Sequence, residues 1–171
     1  ALSFARNEAV YVMPAVGNPS GRGLSDEERD ALLAANVPVI EDDAYAELRF
    51  SGPPPAMLAG RARQRTFAVG TFSKTLAPGL RVGWLIPPPA EREAALAAKR
   101  DADLQSNGLA QAIVERYLAG TDFERRLRKL RRAYARRAQL LAAALGAHAP
   151  AFEVSRPEGG FAFWIRLPLV S

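Results

Sequence analysis

The chain has 171 residues, of which 49% are hydrophobic, and it carries a formal net charge of +5 at neutral pH. It contains no cysteine and one histidine, which excludes disulfide frameworks, thiolate metal sites, cysteine nucleophiles and metal sites built from several histidines. No apolar run approaches the roughly 20 residues of a membrane span, and no signal-peptide pattern opens the chain, so we expect a globular chain in the cytoplasm.

The positive charge is local. Eight of the 23 Lys and Arg residues lie between Arg125 and Arg137, a window without any acid. Apolar residues recur at intervals of three and four along the same segment, which predicts one apolar face and basic residues on the others. We therefore interpret the basic segment as a solvated helix face, and we do not expect this helix to bind nucleic acid.

The first half of the chain predicts strands that alternate with loops and one short helix. Ser25 and Glu28 form a capping-box pattern that opens a helix through Asn36. Consecutive apolar residues are typical of strands buried on both faces of an open, mostly parallel α/β sheet. The predicted strands are Val10–Met13, Val37–Ile40, Thr66–Gly70 and Val82–Ile86.

The second half predicts helices and a terminal strand pair. An Ala-rich helix runs to about Arg100, and a second helix ends at Gly120. Thr121 opens a long helix that ends near Leu145, with His148 as a solvent-facing residue at its end. Two strands, 152–154 and 161–167, follow and are joined through residues 157–160.

Three polar clusters follow the predicted strands, where open α/β sheets bind ligands. A cofactor with an aldehyde, a basic pyridine ring, a phenolic oxygen and a phosphate would find a partner for each group. Lys74 offers an amine for a Schiff base, and Asp42 a carboxylate for the ring nitrogen. The other candidates are Asn18 and Tyr45 for the phenolic oxygen, and Thr71, Ser73 and Arg81 for the phosphate.

In this order the clusters resemble the fold type I, class I and II aminotransferases that depend on pyridoxal 5'-phosphate. The matching segments are 18–21, 41–50 and 70–84, and the last of these is the most specific. The segment around Lys74 is closest in style to the 2-aminoadipate and aromatic-amino-acid branch. That branch is shared with the C-terminal domains of MocR-type transcriptional regulators.

The resemblance implies transamination between an α-amino acid and a 2-oxo acid, with a homodimer as the complete protein. Lys74 would form the Schiff base with pyridoxal 5'-phosphate, and the other six residues would bind that cofactor. Residues 1–120 would be a partial cofactor-binding large domain with a mixed, mostly parallel sheet. Residues 121–171 would be the long connector helix and the start of a small α+β domain.

The family's N-terminal half and its arginine for the substrate carboxylate have no counterpart in these residues, and neither Arg156 nor Arg166 matches that arginine's motif. We therefore expect an internal fragment of a longer protein. We predict that the fragment by itself is poorly soluble or partly unfolded, binds the cofactor at best weakly through Lys74, and has no measurable transaminase activity.

Three alternatives compete with this interpretation. A P-loop is excluded, because Ala68 and Ser73 stand where its glycines would be required. The same cofactor site would serve a ligand-sensing regulator domain if a DNA-binding module lay upstream. Lyases and decarboxylases also use the same lysine and aspartate, so the sequence leaves these reactions open.

Overall fold

The computed structural model describes residues 9–120 and 122–168. At its centre is a four-stranded sheet whose strands lie side by side in chain order. The first three strands are parallel and the fourth is antiparallel to the third. The predicted open, mostly parallel α/β sheet is therefore confirmed. Its strands are β1 (Val10–Val12), β2 (Val39–Asp42), β3 (Thr66–Thr71) and β4 (Gly83–Ile86).

The described residues also form five α-helices. They are α1 (Asp26–Ala34), α2 (Leu58–Arg61), α3 (Arg92–Asp103), α4 (Gly108–Leu118) and α5 (Asp122–His148), with short 3₁₀ turns at Ala46–Leu48, Pro78–Leu80 and Pro89–Glu91. A small antiparallel pair, β5 (Glu153–Val154) and β6 (Ile165–Arg166), follows α5. β5 and β6 pair over two residues each, so both are shorter than the predicted strands 152–154 and 161–167. The predicted cap at Thr121 lies outside the described residues.

Helix α1 begins as its sequence pattern predicts. The Glu28 amide donates to the Ser25 hydroxyl at 3.2 Å, and the Ser25 amide donates to the Glu28 carboxylate at 2.8 Å. The helix ends at Ala34, two residues before the predicted end, because Asn36 adopts a left-handed backbone with φ of 51°. Leu32 of α1 is fully buried against Val39.

The prediction that the strands are buried on both faces is wrong for β2 and β4. Val39 and Glu41 of β2 are buried, whereas the intervening Ile40 is 36% exposed. Side chains alternate along a strand, so one face of β2 meets α1 and α2 while the other remains open in the described part of the chain. Leu85 and Ile86 of β4 are likewise exposed.

Glu41 is the buried acidic residue of the sheet, with 1% of its surface exposed. Its two carboxylate oxygens accept hydrogen bonds from the backbone amides of Leu58 at 2.7 Å and Ala59 at 2.9 Å. These amides belong to the first turn of α2, where amides have no partner within the helix. The carboxylate thereby satisfies two donors and ties α2 to β2.

The basic segment lies on α5. Most of its basic residues are exposed, as the prediction of a solvated face requires. Arg126 and Arg131 are the exceptions, because both are half-buried and bond to loops beneath the helix. For these two residues the prediction is wrong. No helix in the described ranges 9–120 and 122–168 has the length and hydropathy to cross a membrane.

Replacing Glu41 with glutamine is expected to destabilise the fold. The neutral amide offers one acceptor oxygen where two N–H donors converge, so one buried donor loses its partner. We expect the free energy of unfolding to fall by about 2 kcal/mol, measured by urea denaturation. Glu93→Gln, on the exposed surface of α3, is the control and should leave the free energy unchanged. Equal stability of Glu41→Gln and the wild type would show that the carboxylate does not hold α2.

Candidate functional site

The carboxyl ends of β1, β2 and β3 meet at one edge of the sheet, because these strands are parallel. We call this edge the site edge. Asp42 is the last residue of β2, and Thr71 is the last residue of β3. Asn18 follows β1, Tyr45 follows β2, and Ser73 and Lys74 follow β3. The predicted site residues therefore lie on neighbouring loops.

Thr71, Ser73 and Arg81 form one polar group, which we call the Thr71 cluster. Thr71 Oγ1 lies 3.0 Å from Ser73 Oγ, and the Ser73 amide donates to Thr71 Oγ1 at 3.1 Å. The Arg81 guanidinium donates to Ser73 Oγ at 3.3 Å. Arg81 adopts a left-handed backbone with φ of 53°, which turns the chain back toward β4. The cluster presents two hydroxyls and one exposed cation side by side.

Lys74 lies next to Tyr45. Its Nζ is 5.9 Å from the centroid of the Tyr45 ring, and that ring packs edge-on against Phe161 with 5.4 Å between centroids. Within residues 9–120 and 122–168, no carboxylate lies within ion-pairing distance of Lys74 Nζ. Asn18 and Tyr45 line the same small cavity of about 20 Å³. The structure thus brings Asn18, Tyr45 and Lys74 to one place.

Asp42 is held by two donors from its own chain. The Ala44 amide donates to one carboxylate oxygen at 2.9 Å, and the Tyr11 hydroxyl donates to the other. The hydrogen bond to Asp42, together with burial and the negative charge of Asp42, raises the pKa of Tyr11 to about 12. The aspartate is therefore oriented by a neutral phenol and a backbone amide.

Tyr11 is a site residue that sequence reasoning missed. It pairs with Ile40 across the sheet, so it lies on the same face as Asp42, two residues farther along β2. The alternation of side chains between the two faces of each strand was the sequence signal that could have pointed to Tyr11. The register between β1 and β2, which sets Tyr11 beside Asp42, is not contained in either strand's own pattern.

Two arginines of α5 also reach the loops of the site edge. Arg126 donates to the carbonyl oxygens of Thr75 and Leu76, directly after Lys74. Arg131 donates to the carbonyl oxygen and the carboxylate of Glu47, two residues after Tyr45. The sequence analysis assigned both arginines to a solvated face, because the helical period alone does not show which side of α5 faces the loops.

Two larger cavities of the described residues lie away from the site edge. One of about 490 Å³ is lined by Arg22, Arg49 and the first turn of α1, and another of about 480 Å³ lies between α5 and Phe163. The candidate residues line neither cavity. The site edge is open rather than enclosed, since Tyr11 is 58% exposed in the described part of the chain.

The chemistry of the site edge is that of a primary amine, a carboxylate and an anion-binding group held on adjacent loops. The amine of Lys74 can attack a carbonyl carbon. The carboxylate of Asp42 can stabilise a protonated ring nitrogen. Hydroxyls with a guanidinium, as in the Thr71 cluster, are donors suited to a phosphate.

The sequence profile of the family "Aminotransferase class I and II" matches residues 4–170, nearly the whole chain. The chain belongs to this aminotransferase family. The resemblance found in the sequence segments 18–21, 41–50 and 70–84 is thereby confirmed, and so is the assignment of the sheet to the family's large-domain fold.

Both enzymes and regulators are similar to this chain. Aromatic-amino-acid aminotransferase 1 of Thermococcus litoralis is 33% identical over 93% of the chain and 40% of its own length. The HTH-type transcriptional regulator NorG of Staphylococcus aureus is 32% identical over 74% of the chain and 29% of its own length. The chain therefore spans less than half the length of each relative.

A solved structure shows the same fold. LysN, an alpha-aminoadipate aminotransferase from Thermus thermophilus, matches with a TM-score of 0.86 at 34% identity. The match covers 92% of this chain and 43% of LysN, which was solved in complex with N-(5'-phosphopyridoxyl)-L-leucine. This chain therefore shares the architecture of the matched part of a longer protein.

Asp43, the residue after Asp42, is expected to make the stability of the fold depend on pH. Burial, followed by the negative charges of Glu41, Glu47 and Asp42, raises the pKa of Asp43 to about 6. The folded state therefore holds this proton more tightly than the unfolded state. The resulting stabilisation is complete below the ordinary Asp pKa of 3.8 and is lost as the pH rises through 6.

Asp43→Asn is expected to raise the midpoint of thermal unfolding relative to the wild type at about pH 8, and the difference should shrink toward about pH 4. The reason is that asparagine carries no charge to bury at either pH. Asp101→Asn, on the exposed surface of α3, is the control and should show no such trend. A difference between Asp43→Asn and wild type that does not vary with pH would contradict this account of Asp43.

Proposed function

We propose that the complete protein carrying this chain is an aminotransferase that uses pyridoxal 5'-phosphate to move an amino group between an α-amino acid and a 2-oxo acid. The single observation that carries the proposal is the placement of Lys74, Asp42 and the Thr71 cluster on one sheet edge. Membership of the aminotransferase family and similarity to enzymes over nearly the whole chain support it.

The donor set fits pyridoxal 5'-phosphate. The Thr71 cluster offers two hydroxyls and a cation for a phosphate dianion. Asp42 offers a carboxylate for the pyridine nitrogen, while Tyr45 and Asn18 offer neutral donors for the phenolic oxygen. Lys74 offers an amine without a carboxylate partner in the described residues. The complex of LysN with a phosphopyridoxyl compound supports the same assignment.

When bound, pyridoxal 5'-phosphate supplies an aldehyde that condenses with amines and a ring that withdraws electrons from the substrate Cα. Lys74 Nζ would bind the cofactor and be released when the substrate amine takes its place. It would then take the proton from the substrate Cα as a base and deliver it as an acid to the former aldehyde carbon of the cofactor. Asp42 would keep a proton on the ring nitrogen, because its negative charge favours the protonated form. Tyr11 and the Ala44 amide would hold the Asp42 carboxylate in place.

The remaining expectations stay predictions. They are the cytoplasmic location, the homodimer, the inactivity of residues 1–171 alone, and the domain division into 1–120 and 121–171. The similarity to an aromatic-amino-acid and an alpha-aminoadipate aminotransferase favours amino acids with large side chains as substrates.

A second function is supported by the similarity to NorG. In a regulator, the same residues would bind the cofactor and an amino compound to sense it, and turnover would not be needed. Lys74 and Asp42 would serve both functions. The two functions are therefore distinguished by measuring turnover and by examining the sequence upstream of the chain. A winged-helix segment upstream, with no turnover, would favour the regulator.

Turnover is tested on the complete protein with pyridoxal 5'-phosphate, a panel of aromatic and acidic amino acids, and 2-oxoglutarate. Formation of glutamate together with the matching 2-oxo acid is the expected result. Carbon dioxide or an unsaturated product in place of glutamate would indicate a decarboxylase or a lyase. Cofactor binding without any product would contradict transamination and leave the sensing function.

Lys74→Ala is expected to abolish both turnover and the covalent capture of pyridoxal 5'-phosphate, measured by mass spectrometry after borohydride reduction. Lys99→Ala is the matched control, because Lys99 is a half-exposed lysine paired with Asp103 on α3. If Lys99→Ala lost the covalent capture of the cofactor, or if Lys74→Ala retained it, Lys74 would not be the residue that binds the cofactor covalently.

Asp42→Asn is expected to bind the cofactor but to lower kcat by about 30-fold to 1000-fold, because a neutral amide stabilises the protonated ring by about 2–4 kcal/mol less. Steady-state kinetics with the best amino acid of the panel measures this change. Asp101→Asn serves as the exposed control. A wild-type kcat in Asp42→Asn would show that Asp42 does not face the ring nitrogen.

A further inference from the structure

We infer that Arg126 and Arg131 of α5 are positioning residues that hold the two loops of the site edge, one carrying Lys74 and the other Tyr45. This inference builds on the proposed function, since these loops matter for chemistry only if the site edge binds the cofactor. We call the pair the arginine brace.

Arg126 holds the loop of Lys74. Its Nε donates to the Thr75 carbonyl oxygen at 2.9 Å, and its Nη2 donates to the Leu76 carbonyl oxygen at 2.7 Å. Two donors from one planar guanidinium thus meet two consecutive carbonyls, a geometry that a lysine ammonium cannot reproduce. Thr75 is 5% exposed, so the contact lies under the helix rather than on the surface.

Arg131 holds the loop of Tyr45 in the same way. Its Nε donates to the Glu47 carbonyl oxygen at 2.7 Å, and its Nη2 donates to a Glu47 carboxylate oxygen at 2.6 Å. The Arg131 side chain is 23% exposed, whereas most of the other basic residues of the segment are solvated. The bonds are charge-assisted and bidentate, which makes them geometrically specific.

The spacing of the brace follows from the helix period. Phe123, Leu127, Leu130 and Tyr134 form an apolar stripe along α5, in which Phe123 packs against Tyr117 and Tyr134 packs against Phe161. Arg126 and Arg131 are five residues apart, which places them on opposite borders of this stripe. One rigid helix therefore reaches both loops at once, each from its own side.

The brace connects directly to the reacting groups. Lys74 lies between Ser73, which belongs to the Thr71 cluster, and Thr75, which Arg126 holds. Tyr45, whose ring lies 5.9 Å from Lys74 Nζ, precedes Glu47, which Arg131 holds. A displacement of α5 would move both loops, so the position of this helix is coupled to the geometry of the site edge.

Amide hydrogen exchange on the complete protein without cofactor tests the brace itself. In the wild type, the amides of Leu76 and Ala77 donate to the Phe72 carbonyl, and the Leu48 amide donates to the Tyr45 carbonyl. Arg126→Lys should accelerate exchange at Leu76 and Ala77 by about tenfold and leave Leu48 unchanged. Arg131→Lys should accelerate exchange at Leu48 and leave the Lys74 loop unchanged.

The controls are Arg128→Lys and Arg132→Lys, which change exposed arginines of the same helix and should alter neither loop. Unchanged exchange in the two brace variants would overturn the inference. Equal acceleration in both loops and in β2 would also overturn it, since that is the signature of a general loss of stability. If Arg126→Lys does not fold, Glu47→Gln removes the ionic partner of Arg131, and unchanged exchange at Leu48 then decides against the brace.

The cofactor gives the second measurement. Both brace variants should bind pyridoxal 5'-phosphate about tenfold more weakly than the wild type, while both controls keep the wild-type dissociation constant. Wild-type affinity in both brace variants would overturn the effect of the brace on the site. If the wild type itself binds no cofactor, the proposed function fails, and the exchange experiment still decides on the brace.

Discussion

Burial of the Glu41 carboxylate fixes the orientation of β2, and the rest of the site follows from it. The carboxylate is buried because two amides at the start of α2 need its oxygens. Since side chains alternate along a strand, the next residue must point to the opposite face. That residue is Asp42, which meets Tyr11 there. A one-residue slip would bury Asp42 and expose Glu41, and both would lose their donors.

The loops of the site edge are held from two sides. The parallel strands bring the loops together, because all three strands end at the same edge. Helix α5 then holds the loops through Arg126 and Arg131. Their guanidinium groups donate hydrogen bonds to backbone carbonyl oxygens of the loops, which lie outside the sheet strands. The high arginine content of this helix therefore has two physical functions. Most of the basic residues keep a helix face in water, and two of them stabilise loops.

An enzyme and a transcriptional regulator are both similar in sequence to this chain, namely the T. litoralis aminotransferase and NorG. The proposed site of Lys74, Asp42 and the Thr71 cluster is compatible with either function. What separates turnover from sensing is the response of the site to a bound amino compound.

The amino-acid sequence by itself predicted the four strands of the sheet, the helices α1, α3, α4 and α5, the capping box at Ser25 and the order of the polar clusters, because these depend on local periodicity and on residue chemistry. It also determined the family, through the segments around Asp42 and Lys74. Only the tertiary structure decided which faces are covered, that Tyr11 lies beside Asp42, and that Arg126 and Arg131 turn inward. These features depend on strand register and on the rotation of α5, which are set by contacts between residues distant in sequence and are absent from any local pattern.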